Sequence, residues 1–180
     1  MEISKILETY SLNKSTYLNL RWIGIIGQFI TINTVKFILN FEFNYLAANL
    51  IIFVGAISNI YLFYYYNKIQ LSNRSAFNFL FIDIIQLSSL LYLTGGVLNP
   101  FSIFLLIPSV FASSNLKIKT NLLLIFVTLI SIIFLTFFSL DLPKPLSEHF
   151  HVSPYYYYAI PTGLIIALLF LNYFALIFGK

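Results

Sequence analysis

A carboxylate and two carboxamides sit where this apolar chain would otherwise carry leucine or isoleucine. Asp83 and Gln86 lie three residues apart in a stretch running from Ala76 to Thr94, and Gln28 lies in an earlier one, beyond Arg21, Trp22, Gly24 and Gly27. A spacing of three sets Asp83 and Gln86 side by side on one helical face. A carboxylate deep in a bilayer costs at least ~2.5 kcal/mol on insertion scales, so it needs a partner or a task. Either it is hydrogen-bonding glue between helices, or it belongs to a polar intramembrane site that Gln86 and Gln28 complete. Such a site could serve signalling, or Asp83 could carry the coupling proton or ion of a small transporter or permease subunit. Arg21 and Trp22 read as interface anchors, and Gly24 and Gly27 as positions that let another helix come close.

The segment Gly95-Gly96-Val97-Leu98-Asn99-Pro100-Phe101 is uncharged and comes directly after the stretch that holds Asp83. Its local reading is complete. A glycine just past a helix end takes the left-handed conformation, Asn99 caps the next helix, and Pro100 fits the first helical position, where no donor is lost. The same loop leaves backbone donors, an amide side chain and an aromatic ring where a lipid-soluble ring with carbonyl oxygens, such as a quinone head group, could dock. His149 and His151, with Glu148 beside them, stand at i, i+2 on a polar connector and read as solvated loop residues, so no metal site is assigned. The Tyr155 to Tyr158 run reads as an interfacial anchor. With no cysteine, no phosphate-binding glycine loop and no nucleophile beside a base, these residues should not catalyse phosphoryl transfer by themselves.

The elements that must position these groups are dictated by the solvent. Of 180 residues, 59% are hydrophobic and 9% charged, with a mean hydropathy of +0.89. A soluble domain carries roughly 25% charged residues. A hydrocarbon core of ~30 Å takes ~20 apolar residues per helix, which predicts an all-α polytopic membrane protein, a bundle of about six transmembrane helices with short loops. The spans fall at about 20–39, 47–66, 76–94, 101–116, 121–140 and 158–178, behind a segment 1–19 whose spacing suits a short surface helix. With the N-terminus inside, Lys5, Lys14, Arg21, Lys68, Arg74, Lys117, Lys119 and Lys180 fall on the cytoplasmic face, and only Lys36 and Lys144 outside. Basic residues are retained on the cytoplasmic side, so both termini are expected there. The net charge of +4 is spread singly and makes no nucleic-acid face. No internal repeat suggests an inverted-repeat transporter.

Three groups of residues resemble a known family, the N-terminal membrane domain of RegB/PrrB/ActS-type redox sensor histidine kinases. Leu20-Arg21-Trp22 followed by Gly27-Gln28 is similar to the family's Leu-Arg-Trp and Gly-Gln elements. Asp83-Ile84-Ile85-Gln86-Leu87 is similar to its Asp-x-x-Gln-Leu stretch, and Gly95 to Phe101 fits its Gly-Gly-x-x-Asn-Pro-Phe heptapeptide at all five fixed positions. The resemblance covers most of the chain by topology and about 20 residues by motif.

This resemblance implies a bacterial inner-membrane sensor of respiratory redox state, probed through ubiquinone at Gly95, Gly96, Asn99, Pro100 and Phe101. It further implies a homodimer that regulates a cytoplasmic kinase domain and, through it, a response regulator. ATP would bind only in that kinase domain. The family's phosphoacceptor histidine, ATP-binding domain and redox-active cysteine lie beyond the sixth span, so by this reading the chain is either a fragment cut after its membrane domain, the favoured expectation, or a stand-alone relic. Beside the sensor stand the transporter reading and a purely structural or assembly role, in which the polar residues serve helix packing alone.

Overall fold

The computed structural model describes residues 12–145 and 153–179, and the connector carrying Glu148, His149 and His151 lies outside them, as does most of the segment 1–19. Among the described residues six α-helices follow one another: α1 (Lys14–Phe37), α2 (Tyr45–Tyr65), α3 (Asn73–Leu93), α4 (Ile107–Asn115), α5 (Ile118–Phe138) and α6 (Tyr156–Phe178). Local chemistry sets the first three starts. The side chains of Asn13, Asn44 and Ser72 accept from the backbone N–H of Thr16, Ala47 and Ser75, occupying donors that a helix start leaves free.

The helices lie within a few residues of the expected spans except the first, which begins six residues earlier than 20, at Lys14, and the fourth, whose α-helical part begins six residues later than 101, at Ile107. Among the described residues four helices, α2, α3, α5 and α6, are long and apolar enough to cross a membrane. The expected set of six is therefore met in full only for these four. Helix α1 has the length, with 24 residues, but carries Lys14, Arg21, Lys36, Gln28 and Asn33. The fourth segment is Pro100–Asn115, seven residues of 3-10 helix running into the nine of α4. The apolar spans with outward-facing leucine, isoleucine and phenylalanine make this a polytopic helical membrane protein.

Helix α3 packs on α5, α4 on α6, and α1 on α2. On α5 the buried residues Leu124, Thr128, Ser131, Ile132 and Leu135 recur at helical spacing, which aims one stripe at its neighbours. A larger core joins α3 through α6 with the first turns of α1, and a smaller one sets Ile25 and Ile32 of α1 against Ala48 and Ile52 of α2 and Leu90 of α3. Short two-residue pairings clasp both ends, Leu12–Asn13 with Gln70–Leu71 and Phe41–Glu42 with Lys144–Pro145. Strands of that kind carry no span-length signal.

Gly24 and Gly27 correct the expectation of a close helix approach in α1. A Cβ built on either meets nothing within 4 Å. The close approach is at Gly55 of α2, where a Cβ would lie 3.1 Å from the Gln86 amide. Replacing Gly24 or Gly27 by alanine should therefore raise stability, by about 0.5–1 kcal/mol each, through the helix-interior gain alone. A higher unfolding temperature in detergent would agree, whereas a lower one would mean that a partner packs on this face.

Candidate functional site

Two polar layers cross the interior between α1, α2 and α3. In the first, Arg21 departs from its expected role as an interface anchor: its guanidinium turns inward onto Asp83. Nε donates to Asp83 Oδ1 at 2.9 Å and Nη2 lies 2.8 Å from the same oxygen, with 5% and 15% of the two side chains exposed. The Tyr17 hydroxyl donates to the other carboxylate oxygen. Arg21 Nη1 donates to Asn59 Oδ1 at 3.3 Å and Nη2 to Ser58 Oγ at 3.0 Å, and the Asn59 amide donates to the Leu18 carbonyl at 3.3 Å. Rings of Tyr17 and Phe79 lie 5.5 and 5.8 Å from the guanidinium carbon. Trp22 packs partly buried against the smaller core.

This is an ion pair whose charges are met on several sides by hydrogen bonds and aromatic faces, as burial requires. Both carboxylate oxygens are engaged, which suits a fastening between helices. It ties the α1–α2 pair to α3 through long side chains.

In the second layer, the Gln86 amide donates to Gln28 Oε1 at 2.8 Å. Asp83 and Gln86 do face the same way, toward α1. Gln28 joins Gln86 and not Asp83, because it stands seven residues past Arg21 and so two turns further along α1.

The heptapeptide closes the far end of α3. Gly95 and Gly96 have φ of 102° and 58°, the left-handed region expected of this turn. Asn99 caps the 3-10 helix Pro100–Leu106 as predicted, its Oδ1 accepting from Phe101 N at 2.9 Å with Pro100 in the first position. Its amide nitrogen is also committed, donating to both the carbonyl and the hydroxyl of Thr94 at 2.9 Å. The loop seats on the end of α5, where Cβ atoms at Gly95 and Gly96 would run into Leu142 and Ser139. Phe101 points outward, 43% exposed, and stacks with Phe104 at a centroid distance of 5.9 Å. The loop is thus a satisfied turn that offers two aromatic faces to its surroundings.

The polar layers and the loop do not merge. Asp83, Gln86 and Gln28 lie between α1 and α3, while Gly95 to Phe101 packs against α5 and α6. Two further groups were not singled out by sequence reasoning. Tyr17 and Asn59 complete the ion-pair layer. A second cluster links α4, α5 and α6: Ser113 donates to Asn172 at 2.6 Å, Asn121 donates to Ser113 at 2.7 Å, and Asn172 donates to Ser109 at 3.2 Å, all four buried. The signal in the sequence was an asparagine inside each of two apolar spans, since such residues in lipid seek partners.

The chain is 26% identical over 161 residues to the sensor histidine kinase RegB of Cereibacter sphaeroides, a match that covers 89% of this chain and 35% of that protein. No family model matches the chain. No solved structure matches it. The chain thus spans about a third of the length of that relative. The resemblance carried by the arginine, aspartate and heptapeptide motifs is borne out along most of the sequence: this chain is similar to a RegB-type sensor histidine kinase in the manner of an N-terminal membrane sensory domain.

Proposed function

We propose that the chain is the membrane sensory module of a two-component redox sensor histidine kinase, set in a bacterial cytoplasmic membrane with both termini inside. The observation that carries this reading is the match to RegB along 89% of the chain, which includes the whole heptapeptide and the ion-paired span before it. Six crossings are supported by lengths. The 24 residues of α1 reach about 36 Å. The larger rise of 3-10 turns lets Pro100–Asn115 reach about 27 Å, close to the ~30 Å core. Orientation is supported by charge, since Lys14, Lys68, Arg74, Lys117 and Lys119 cluster at the end where α1 begins and Lys36 and Lys144 at the other.

The ligand in this reading is ubiquinone, held at the heptapeptide. The residues present fit such a group: Phe101 and Phe104 offer exposed aromatic faces, and Asn99 carries both a donor and an acceptor. A quinone supplies a redox-dependent pattern, accepting hydrogen bonds when oxidised and donating them when reduced. Asn99 answers the oxidised form with the amide N–H donors that now serve Thr94 and the reduced form with Oδ1, which now accepts from Phe101 N, so either response draws on the hydrogen bonds that close the turn. Gly95 and Gly96 let the loop lie tight on α5, so a shift at Asn99 is passed to the 3-10 segment and along α4. There Ser109 and Ser113 grip Asn172 of α6, the last helix before the region in which a homodimeric kinase would bind ATP and meet its response regulator.

The test is direct binding of a short-chain ubiquinone to the chain in nanodiscs. Phe101→Ala and Asn99→Ala should each weaken binding at least about tenfold, the size of one lost stacking or hydrogen-bond contact. Unchanged affinity in both variants, with the fold intact, would remove the heptapeptide as the site. In the parent kinase the same variants should flatten the response of autophosphorylation to added quinone.

A further inference from the structure

The end of the bundle where α1 begins holds a groove that the sensing reading does not use. It has a volume of about 280 Å³ and lies between the first turn of α1 and the α2–α3 connector. Lys14 is fixed at its edge. Its ammonium donates to the Phe63 carbonyl at 2.9 Å and to the Tyr66 carbonyl, at the C-terminal end of α2, and stands 5.8 Å from the Phe63 ring centroid. An ammonium has three N–H donors, so among the described residues one is left for an outside acceptor. The connector is pinned as well, by the Lys14 N–H donating to the Ile69 carbonyl at 3.0 Å and by Leu12 pairing with Leu71. Backbone bonds as well as the Lys14 side chain therefore hold the connector to the first turn of α1.

The two walls of the groove differ in kind. Lys14, Lys68, Asn67 and Ser15 supply positive charge and hydrogen-bond donors. Phe63 and Ile69 supply an apolar wall, 57% and 80% exposed. An isoleucine that exposed on a connector is explained if hydrocarbon lies against it. We propose that this groove binds the head group of one phosphate-bearing anionic phospholipid, between Lys14, Lys68 and Asn67, with its acyl chains running down Phe63 and Ile69. The joint presence of charge and an apolar wall selects a lipid over free phosphate, which would use only the first. Arg74, Lys117 and Lys119 stand at the same end but outside the groove, and Lys36 at the other. This proposal does not rest on the quinone reading.

The experiment uses the full chain in phosphatidylcholine nanodiscs doped with phosphatidylglycerol, released into detergent and weighed intact by native mass spectrometry. The expected result is one phosphatidylglycerol retained in preference to phosphatidylcholine. Lys68→Gln, an exposed change, should cut that preference about fivefold, the weight of one lysine at a lipid surface, while Lys117→Gln leaves it unchanged. Equal retention of the two lipids would overturn the proposal. So would an equal loss in Lys117→Gln, which would mean a diffuse charge effect, or release of the lipid by inorganic phosphate alone, which would mean a phosphate site.

Discussion

Arg21→Met should unfold the bundle far more readily, at a cost of about 3–5 kcal/mol, because it strands a buried carboxylate. Asp83 would keep only the Tyr17 hydroxyl, and Asn59 and Ser58 would lose the guanidinium donors that now bridge α1 to α2. In a chain of this size the loss corresponds to a drop of about 10 °C in the unfolding midpoint measured in detergent. Asp83→Leu should cost about as much, since the stranded group is then the guanidinium. The double variant Arg21→Met with Asp83→Leu should recover most of the loss, because an apolar pair of similar volume carries no desolvation penalty. A double variant as unstable as the sum of its parts would mean that the two charges act independently and that the layer is not a fastening.

Gly96→Ala should cost about 2–4 kcal/mol, combining a strained φ with an overpacked contact. The added methyl would meet the Ser139 side chain and lie 2.5 Å from the Leu135 carbonyl oxygen, at a φ of 58°. Removing the side chain in a Gly96→Ala, Ser139→Gly variant should restore only part of the stability, because the carbonyl is backbone of α5 and the strain at residue 96 stays. Full recovery would place the whole conflict at Ser139. Gly95→Ala meets the Leu142 Cα at 2.9 Å with φ at 102°, and should behave alike. Both changes lift the loop from α5, so in binding assays they should track the loss of stability, whereas Phe101→Ala should lower quinone affinity with the fold intact.

The sequence could decide alone whatever depends on a few adjacent residues. The helical class and most span limits come from apolar runs of the length a bilayer demands. The turn at Gly95 to Phe101 is equally local: two glycines with positive φ, an asparagine cap and a proline in first place are written in consecutive letters and were found so. The common face of Asp83 and Gln86 needed only helical spacing.

Tertiary structure decided every question of partnership. An arginine seven residues into α1 can reach for the interface or turn inward, and a carboxylate ten residues into α3 is what turns it. A glycine marks a close approach only where another helix arrives, which is why Gly55 is packed while Gly24 and Gly27 face open space. Asn121 and Asn172 look alike as isolated amides in apolar runs, and only the packing of α4, α5 and α6 brings them to Ser113. Hydrocarbon offers a buried polar group no hydrogen bond, so a side chain that its own helix does not satisfy, as Leu124 satisfies Thr128, turns to another helix, and which one is set by packing between residues far apart in the chain.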